Sequence, residues 1–554
     1  MLSPPSFAAS QGDQTIDAVE MMWDPSMAFT DHHRDDTTTS GSCDIEKNSE
    51  QDDRAYLFLG RSMNIAHELA FFAVVSTANF TPHSGFHQTL CILQLIASDL
   101  EATQPAQLAW LMAGYGLTVG TFILPAGRLG DIYGYKTLFL IGNLWFALSS
   151  LLAGFAIFIP LQTTSHVQAR YTIFLLARIL QGIGPALMIP NGVALLGVTY
   201  VPGQRKAMLF AIFGAMAPAS AIISPAITSL FALVWWPYAF WAFAIVLVGV
   251  TVAGLYVIPN PQPAAEGENN GRERGHGFIN LCTELDALGA LTGVSGLIFI
   301  SVALNQGSLA GWHHAYVPVL LGIGILLCAV FVFVEKRARK PLIPIEALNL
   351  GVGLVLAAVG CGWGCFGIYI FYIWEFYEVL RGASPLLATA WHSPIFVSGI
   401  AAAVTTGLII HRVGPATVMA LALLAFTVGI TLIATAPIEQ SYWLQTFFCN
   451  IIITWGMDLS FPAATLMLSD LVAHEHQGIA ASLVTTVVNY SGALALGLAG
   501  TIELHANSGR HASENILRGY RGAWYLGICL GVTGLIISLA FACRFSRSFW
   551  VTAR

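Results

Sequence analysis

Fourteen apolar runs, each about 20 residues long and separated by short polar breaks, constrain this chain more than any other feature. As a helix, a run of that length crosses the roughly 30 Å hydrocarbon core of a bilayer. In lipid every backbone amide and carbonyl must be satisfied within the segment, so such runs have the α-helix open to them. The runs fall at about 66–88, 107–126, 137–159, 170–195, 206–230, 238–258, 286–305, 315–334, 350–378, 385–410, 414–435, 441–468, 479–502 and 522–543. Charged residues make up 10% of the 554, against about a quarter in soluble domains, which is too few to cover a water-facing surface of this size. The expected fold is an all-α integral membrane protein.

The formal net charge of −7 is unevenly spread. Residues 1–55 hold twelve acidic and three basic residues, whereas the rest holds 19 acidic and 21 basic. Residues 1–60 read as a disordered acidic tail, because so few apolar groups cannot offset the entropy of ordering. No basic segment followed by an apolar stretch opens the chain, so the first run serves as an uncleaved signal. An even number of spans puts both termini on one side. If that side is cytoplasmic, 18 of the 24 Lys and Arg face inward and five outward, with Arg178 inside a span. The termini are therefore expected in the cytoplasm. Separately, and with no sorting signal in the chain to mark it, the plasma membrane is expected rather than the vacuole. The organisation that follows is an N-terminal six-helix bundle at 61–258, a loop at 259–285, and two linker helices with a basic loop at 286–349. A C-terminal six-helix bundle at 350–543 and a tail at 544–554 complete it.

The nine cysteines are scattered. Cys361 and Cys365 stand one helical turn apart with no His or second Cys pair beside them, which favours packing over a disulfide or metal site. The sequons at Asn79 and Asn489 fall inside spans, out of reach of modification. No metal spacing, nucleophile elbow or His cluster points to an enzyme.

Between the second and third runs lies Gly127-Arg128-Leu129-Gly130-Asp131-Ile132-Tyr133-Gly134-Tyr135-Lys136. A loop this short makes a tight hairpin and sets Arg128, Asp131 and Lys136 at a membrane surface. A degenerate copy, His411-Arg412-Val413-Gly414-Pro415, sits between the tenth and eleventh runs, as related halves would place it. The first segment resembles the loop 2–3 signature of the major facilitator superfamily. The resemblance implies a conformational switch built on Gly127, Arg128, Gly130, Asp131, Gly134 and Lys136, with the Asp acting on a neighbouring helix end and a basic residue.

Arg178-Ile179-Leu180-Gln181-Gly182-Ile183-Gly184-Pro185 is similar to that family's helix 4 motif, with Arg178, Gln181, Gly182 and Pro185 on one face. An intramembrane Arg needs water, a carboxylate or carbonyls around it. Two readings stand: Arg178 biases a nearby acid in proton coupling, or it ties helix ends together. Gly214-Ala215-Met216-Ala217-Pro218 resembles the fifth-helix motif of exporters in this superfamily; Pro218 is kept, Gly214 is nearby, and the other glycines appear as Ala217, Ala221 and Ile222. With Gly456-Met457-Asp458-Leu459-Ser460-Phe461-Pro462 and Gln477-Gly478-Ile479-Ala480-Ala481-Ser482-Leu483, the chain resembles the fungal fourteen-spanning drug:proton antiporters, aminotriazole-resistance-type branch, over nearly all of 60–543.

That resemblance implies a major facilitator fold of two six-helix bundles plus two extra central helices. It implies efflux of a drug, toxin or secondary metabolite in exchange for protons. No cofactor is expected, since the proton gradient supplies the energy. The expected partners are a small-molecule substrate, protons and the bilayer, with no nucleic acid and a monomeric chain. The alternatives are movement of a small nitrogenous or inorganic solute such as ammonium or borate, import, or a non-transporting sensor.

Acids that could carry the proton are few. Asp458 lies in mid-span, either as a carrier or as a packing acid bonded to Ser or Thr. Glu375 and Glu378 stand near the outer end of the ninth span, either as carriers or simply solvated. His67 and Glu68 read as a solvated start of the first span, and Asp286 opens the seventh. Aromatic residues crowd span nine, where Trp363, Phe366, Tyr369, Phe371, Tyr372 and Trp374 could line a cavity for a planar ligand or only fill the core.

Overall fold

The computed structural model describes residues 63–102, 104–159, 164–201, 203–259, 283, 285–472, 477–506 and 513–552. The acidic tail, most of the 259–285 loop and its expected disorder lie outside them. Fourteen long helices follow in order: α1 Ile65–Leu90, α2 Pro105–Tyr133, α3 Tyr135–Phe155, α4 Thr164–Thr199, α5 Gln204–Ala232, α6 Pro237–Val257, α7 Ala287–Leu309, α8 Tyr316–Glu335, α9 Leu350–Glu375, α10 Pro394–Val413, α11 Pro415–Thr435, α12 Thr446–Leu471, α13 Gln477–Ala506 and α14 Ser513–Thr552. Each apolar run predicted one of them. Thirteen are long and apolar enough to cross a membrane when flanking helical turns are included. The first, α1, has the length, at 26 residues, and falls short in apolarity. Among the described residues there is no strand.

The helix ends differ from the sequence expectation in an instructive way. The hairpin loop expected across 127–136 is helical up to Tyr133 and again from Tyr135, leaving Gly134 alone as the turn. Its φ of +91° lies in the region that only glycine enters without strain. The degenerate copy does the same. Helix α10 ends at Val413, α11 starts at Pro415, and Gly414 between them has φ +83°. Each glycine N–H bonds the carbonyl four residues back, Gly130 O at 2.8 Å and Ile410 O at 3.1 Å. The weak internal repeat is therefore a repeat of backbone conformation. At the other end of the chain, α14 runs on through Thr552, so the stretch expected as a tail from 544 is largely helical.

We call the end of the bundle with these two turns and the start of α1 the near end, and the opposite end, with the C-termini of α1 and α9, the far end. In the N-terminal part, α3 and α2 both pack on α4, α1 packs on α5, and α6 packs on α3. In the C-terminal part, α11 packs on α12 and α14, and α9 on α13 and α14. The two parts meet where α2 runs along α13 and where α5 crosses α10. Helix α7 packs on α13 and α2, with α8 on its outer side. Outward faces are apolar, as lipid contact requires: Ile245 is 70% exposed and Val397 70%. An aromatic belt of Phe155, Phe158, Trp235, Tyr238 and Trp241 clusters at the far end of α3 and α6, the position aromatic side chains take at a membrane–water boundary.

Helix α4 sits between α2 and α3 because its glycines leave no side chain on either flank. A Cβ on Gly182 would strike Thr118 Oγ1 and stand 2.5 Å from Tyr115 O on α2. One on Gly184 would stand 2.9 Å from Gly142 O on α3. Replacing Gly182 with Val should cost about 1–3 kcal/mol or more in overpacking and reduce the folded fraction recovered by gel filtration in detergent. Gly214→Val, where nothing lies within 4 Å of a new Cβ, should leave that fraction near the wild-type value.

Candidate functional site

Arg178 is fully buried in α4; its Nε and Nη1 bond carbonyl oxygens, while Nη2 has no partner among the described residues. Its guanidinium donates to Gly85 O of α1 at 3.1 Å, to Leu111 O of α2 at 3.4 Å and to Gln181 Oε1 at 2.6 Å. It also lies 4.6 Å above the Tyr115 ring, and the Tyr115 hydroxyl donates to the carbonyl of Pro82, a proline inside α1. Gln181 passes the network on, donating to Ser150 Oγ of α3 at 2.8 Å. One Arg–Gln pair thus ties four helices together. No carboxylate is among the partners of Arg178 in the described residues, so the geometry matches the helix-tying reading. Pro185 lies inside α4 one turn beyond Gln181.

At the near end the signature residues are divided between several contacts. Asp131 is exposed and accepts from the Tyr135 hydroxyl at 2.9 Å across the Gly134 turn, rather than from a neighbouring helix end. Lys136 donates to Leu255 O and Ile258 O at 3.0 and 2.6 Å, capping the C-terminus of α6, where a positive charge is favoured. Gly127 faces Pro190, and a Cβ on Gly130 would overlap Asn191 Oδ1, so α2 and α4 touch here. Arg128 is half-buried beside them. The start of α1 is bonded rather than merely solvated. Glu68 pairs with Arg205 of α5, and the His67 ring bonds Val257 O. Asp286 opens α7 as a buried N-cap, accepting from Gly289 N at 3.1 Å.

The residues that sequence reasoning assigned to separate motifs converge where α5 crosses α10. The point where a Cβ on Gly399 would stand lies 3.1 Å from Asp458 Oδ2 of α12 and 3.1 Å from Pro218 Cβ of α5. Asp458 Oδ2 is a buried oxygen with no hydrogen-bond partner among the described residues. The Ser or Thr bond expected for a packing acid is absent from its carboxyl; Thr406 donates instead to the Asp458 backbone carbonyl, at 3.5 Å. Pro218 therefore lies at the junction of the two parts, and Gly399 keeps the approach close. Gly399 carried no signal in the sequence, because its role depends on which face of α10 meets α5. Gly214, one turn before Pro218, offers its carbonyl to Asn79 Nδ2 of α1 at 3.5 Å.

The far end holds what the sequence reading missed. Glu375 is buried, 7% exposed, and not solvated; it accepts from Gln94 Nε2 at 2.7 Å and Tyr520 Oη at 3.4 Å. Glu378 follows in a π-helical turn, Phe376–Leu380, and is half-buried. Glu503, 3% exposed, accepts from Tyr372 Oη at 2.8 Å. It fell one residue beyond the expected end of its span; carrying the helix another turn would have exposed the signal. The aromatic residues of α9 are mostly core. Tyr369, Phe371, Tyr372 and Trp374 are fully buried, while Trp363 and Phe366 are half-buried. Cys361 and Cys365 are free thiols. Among the described residues no cluster could hold a metal.

This architecture has known counterparts. The family model described as Major Facilitator Superfamily matches residues 69–380. The chain belongs to the major facilitator superfamily. A low affinity ammonium transporter of Saccharomyces cerevisiae is 44% identical over 87% of this chain and 90% of its own length. The efflux pump terJ of Aspergillus terreus is 40% identical over 87% and 89%. The aminotriazole resistance protein of Saccharomyces cerevisiae is 34% identical over 85% and 83%, which bears out the branch that the sequence resembles. Among solved structures, a peptide transporter POT crystallised with sulfate shares the fold, with TM-score 0.60 and 16% identity over 86% of this chain and 95% of that one.

The superfamily helices that meet at Gly399 give a direct test. Gly399→Leu should overpack the α5–α10 crossing by about 1–3 kcal/mol, a bias of about 5- to 150-fold against the joined arrangement. Single-molecule fluorescence between labels at Ile223 and Val397 should then read a larger separated fraction in a protein that still folds.

Proposed function

We propose that this chain is a proton-coupled exporter of a small organic compound, such as a drug, toxin or secondary metabolite. It works as a transporter and not an enzyme, at the plasma membrane, with both termini and the near end in the cytoplasm. The observation that carries the reading is the Asp458 carboxyl. It has an unpartnered oxygen at the junction of the two parts, where rocking one part against the other changes its surroundings. A carboxyl that is dry in one arrangement and wet in the other takes up and releases a proton as the arrangement changes. Names of relatives support the direction: terJ is an efflux pump, and Pro218 of the exporter-type helix is kept. The 18-to-5 division of Lys and Arg supports the orientation.

In this cycle the near end holds the switch. With Lys136 on the end of α6 and Glu68 paired to Arg205, the near ends of α1, α3, α5 and α6 move as a unit. Asp131 and Tyr135 brace the Gly134 turn that hinges α2 to α3. A second reading, movement of ammonium, rests on the 44% identity to the yeast ammonium transporter.

A deletion strain screened against toxic compounds should show hypersensitivity to at least one organic compound and unchanged methylammonium accumulation; the reverse pattern would favour the second reading. Asp131→Asn should reach the membrane and lose most of the restored tolerance. In cells, a protonophore should raise accumulation of the cargo severalfold with wild type and leave Asp458→Asn cells at their already raised level. A protonophore response of wild-type size in that variant removes Asp458 as the carrier.

A further inference from the structure

The far end contains a contact that the exchange cycle above does not use. Gln94 sits on a short helix, Leu93–Asp99, which follows α1 and belongs to the N-terminal part. Glu375 closes α9 in the C-terminal part. Their 2.7 Å hydrogen bond therefore crosses from one part to the other. Around it the closure is apolar and continuous. One buried cluster runs from Leu90 through Leu100 to Trp374 and Tyr377, and the short helix Pro385–His392 packs on the far half of α5. The two parts cannot separate at this end without breaking the Gln94–Glu375 bond and wetting Glu375.

Among the described residues, the groups hydrogen-bonded to Glu375 carry no positive charge, and the buried His392, whose ring lies 5.3 Å from that of Trp374, is a further titratable group at this end. From α14 comes Tyr520 Oη, from the Leu93–Asp99 helix Gln94, and from its own helix Tyr372 and Glu378. Behind Tyr372, Glu503 of α13 adds a second carboxyl. The nearby cations are engaged elsewhere. Arg381 donates to Pro437 O and lies 4.7 Å from the Phe376 ring centroid, and Arg521 donates to Ala434 O. His505 bonds Thr501 O, and Asp99 accepts from Trp236. Closing this end therefore removes a carboxyl from water with neutral hydrogen-bond partners, which is costly for a bare charge and cheap for a protonated acid. The π-helical turn that follows Glu375 is a feature that recurs at functional sites.

We propose that Glu375 and Gln94 form a proton-dependent latch that closes the far end. Acid on that side favours closure, because closing takes a proton onto Glu375 from the far side. Opening releases the proton to the same side, so the latch carries no net proton across the membrane. It sets how often the far end opens, and leaves the coupling itself to the junction at Gly399. The proposal rests on the exchange reading only for its need that the two parts separate at this end.

The test is a distance measurement with no cargo. Spin labels at Leu95 and Leu386, both exposed far-end positions, report open and closed populations of the full chain in lipid nanodiscs from pH 5 to 8. The wild-type open-to-closed ratio should rise with pH, by at most about tenfold per unit for one proton. Glu375→Gln should flatten that slope. Gln94→Leu, at a half-buried position of the Leu93–Asp99 helix, should raise the ratio at every pH and keep the slope. A pH-independent wild-type ratio, an undiminished slope in Glu375→Gln, or an unchanged ratio in Gln94→Leu would overturn the latch. Because cargo is absent from the readout, a wrong cargo or direction in the proposed function leaves these outcomes untouched.

Discussion

Everything in this molecule depends on how helices hold together in a solvent as apolar as their own side chains. Lipid gives no hydrophobic reason for two leucine-rich helices to associate, so close backbone approach and a few interhelical hydrogen bonds must supply it. The chain meets this with two devices. Small residues let α4 lie against both α2 and α3, at Gly182 and Gly184. Buried polar side chains then stitch what the glycines bring close, with Arg178 and Gln181 reaching four helices.

The same devices are used differently within a part and between parts. Inside the N-terminal part the contacts are multiple and charge-assisted, as suits a body that moves as one piece. Between parts, α2 runs along α13 and α5 crosses α10, with Gly399 against Pro218 beside Asp458 and the Gln94–Glu375 bond at the far end. Rocking one part against the other makes and breaks such contacts at alternate ends. That Asp458 and Glu375 stand at these junctions is what links proton chemistry to motion in the proposed cycle.

Much of this was legible in the sequence, and the rest was hidden for a definable reason. Fourteen helices followed from hydropathy, because the bilayer fixes their length. The Gly127–Lys136 signature located a turn, although the helices extend to within one residue of each other, since helical hydrogen bonding continues past the apolar segment into polar residues. An intramembrane Arg178 needs partners; Gln181 is marked by the motif, whereas the Gly85 and Leu111 carbonyls are marked by no sequence pattern. Glu375 looked solvated because it lies near a span end; burial came from Gln94 and Tyr520, which are 281 and 145 residues away in sequence. Gly399 and Glu503 were missed because helix rotation and the last turn of a helix are both invisible to a count of apolar residues.

The central claim is exchange: cargo leaves the cytoplasm as protons enter. Inside-out vesicles from cells expressing the wild-type chain, loaded with an acidic lumen and given the cargo identified by screening, test it most directly. Cargo should accumulate in the lumen, and the lumen should lose acid faster with cargo than without it. Accumulation that ignores the pH gradient, or cargo movement that leaves the lumenal pH unchanged, would contradict the account.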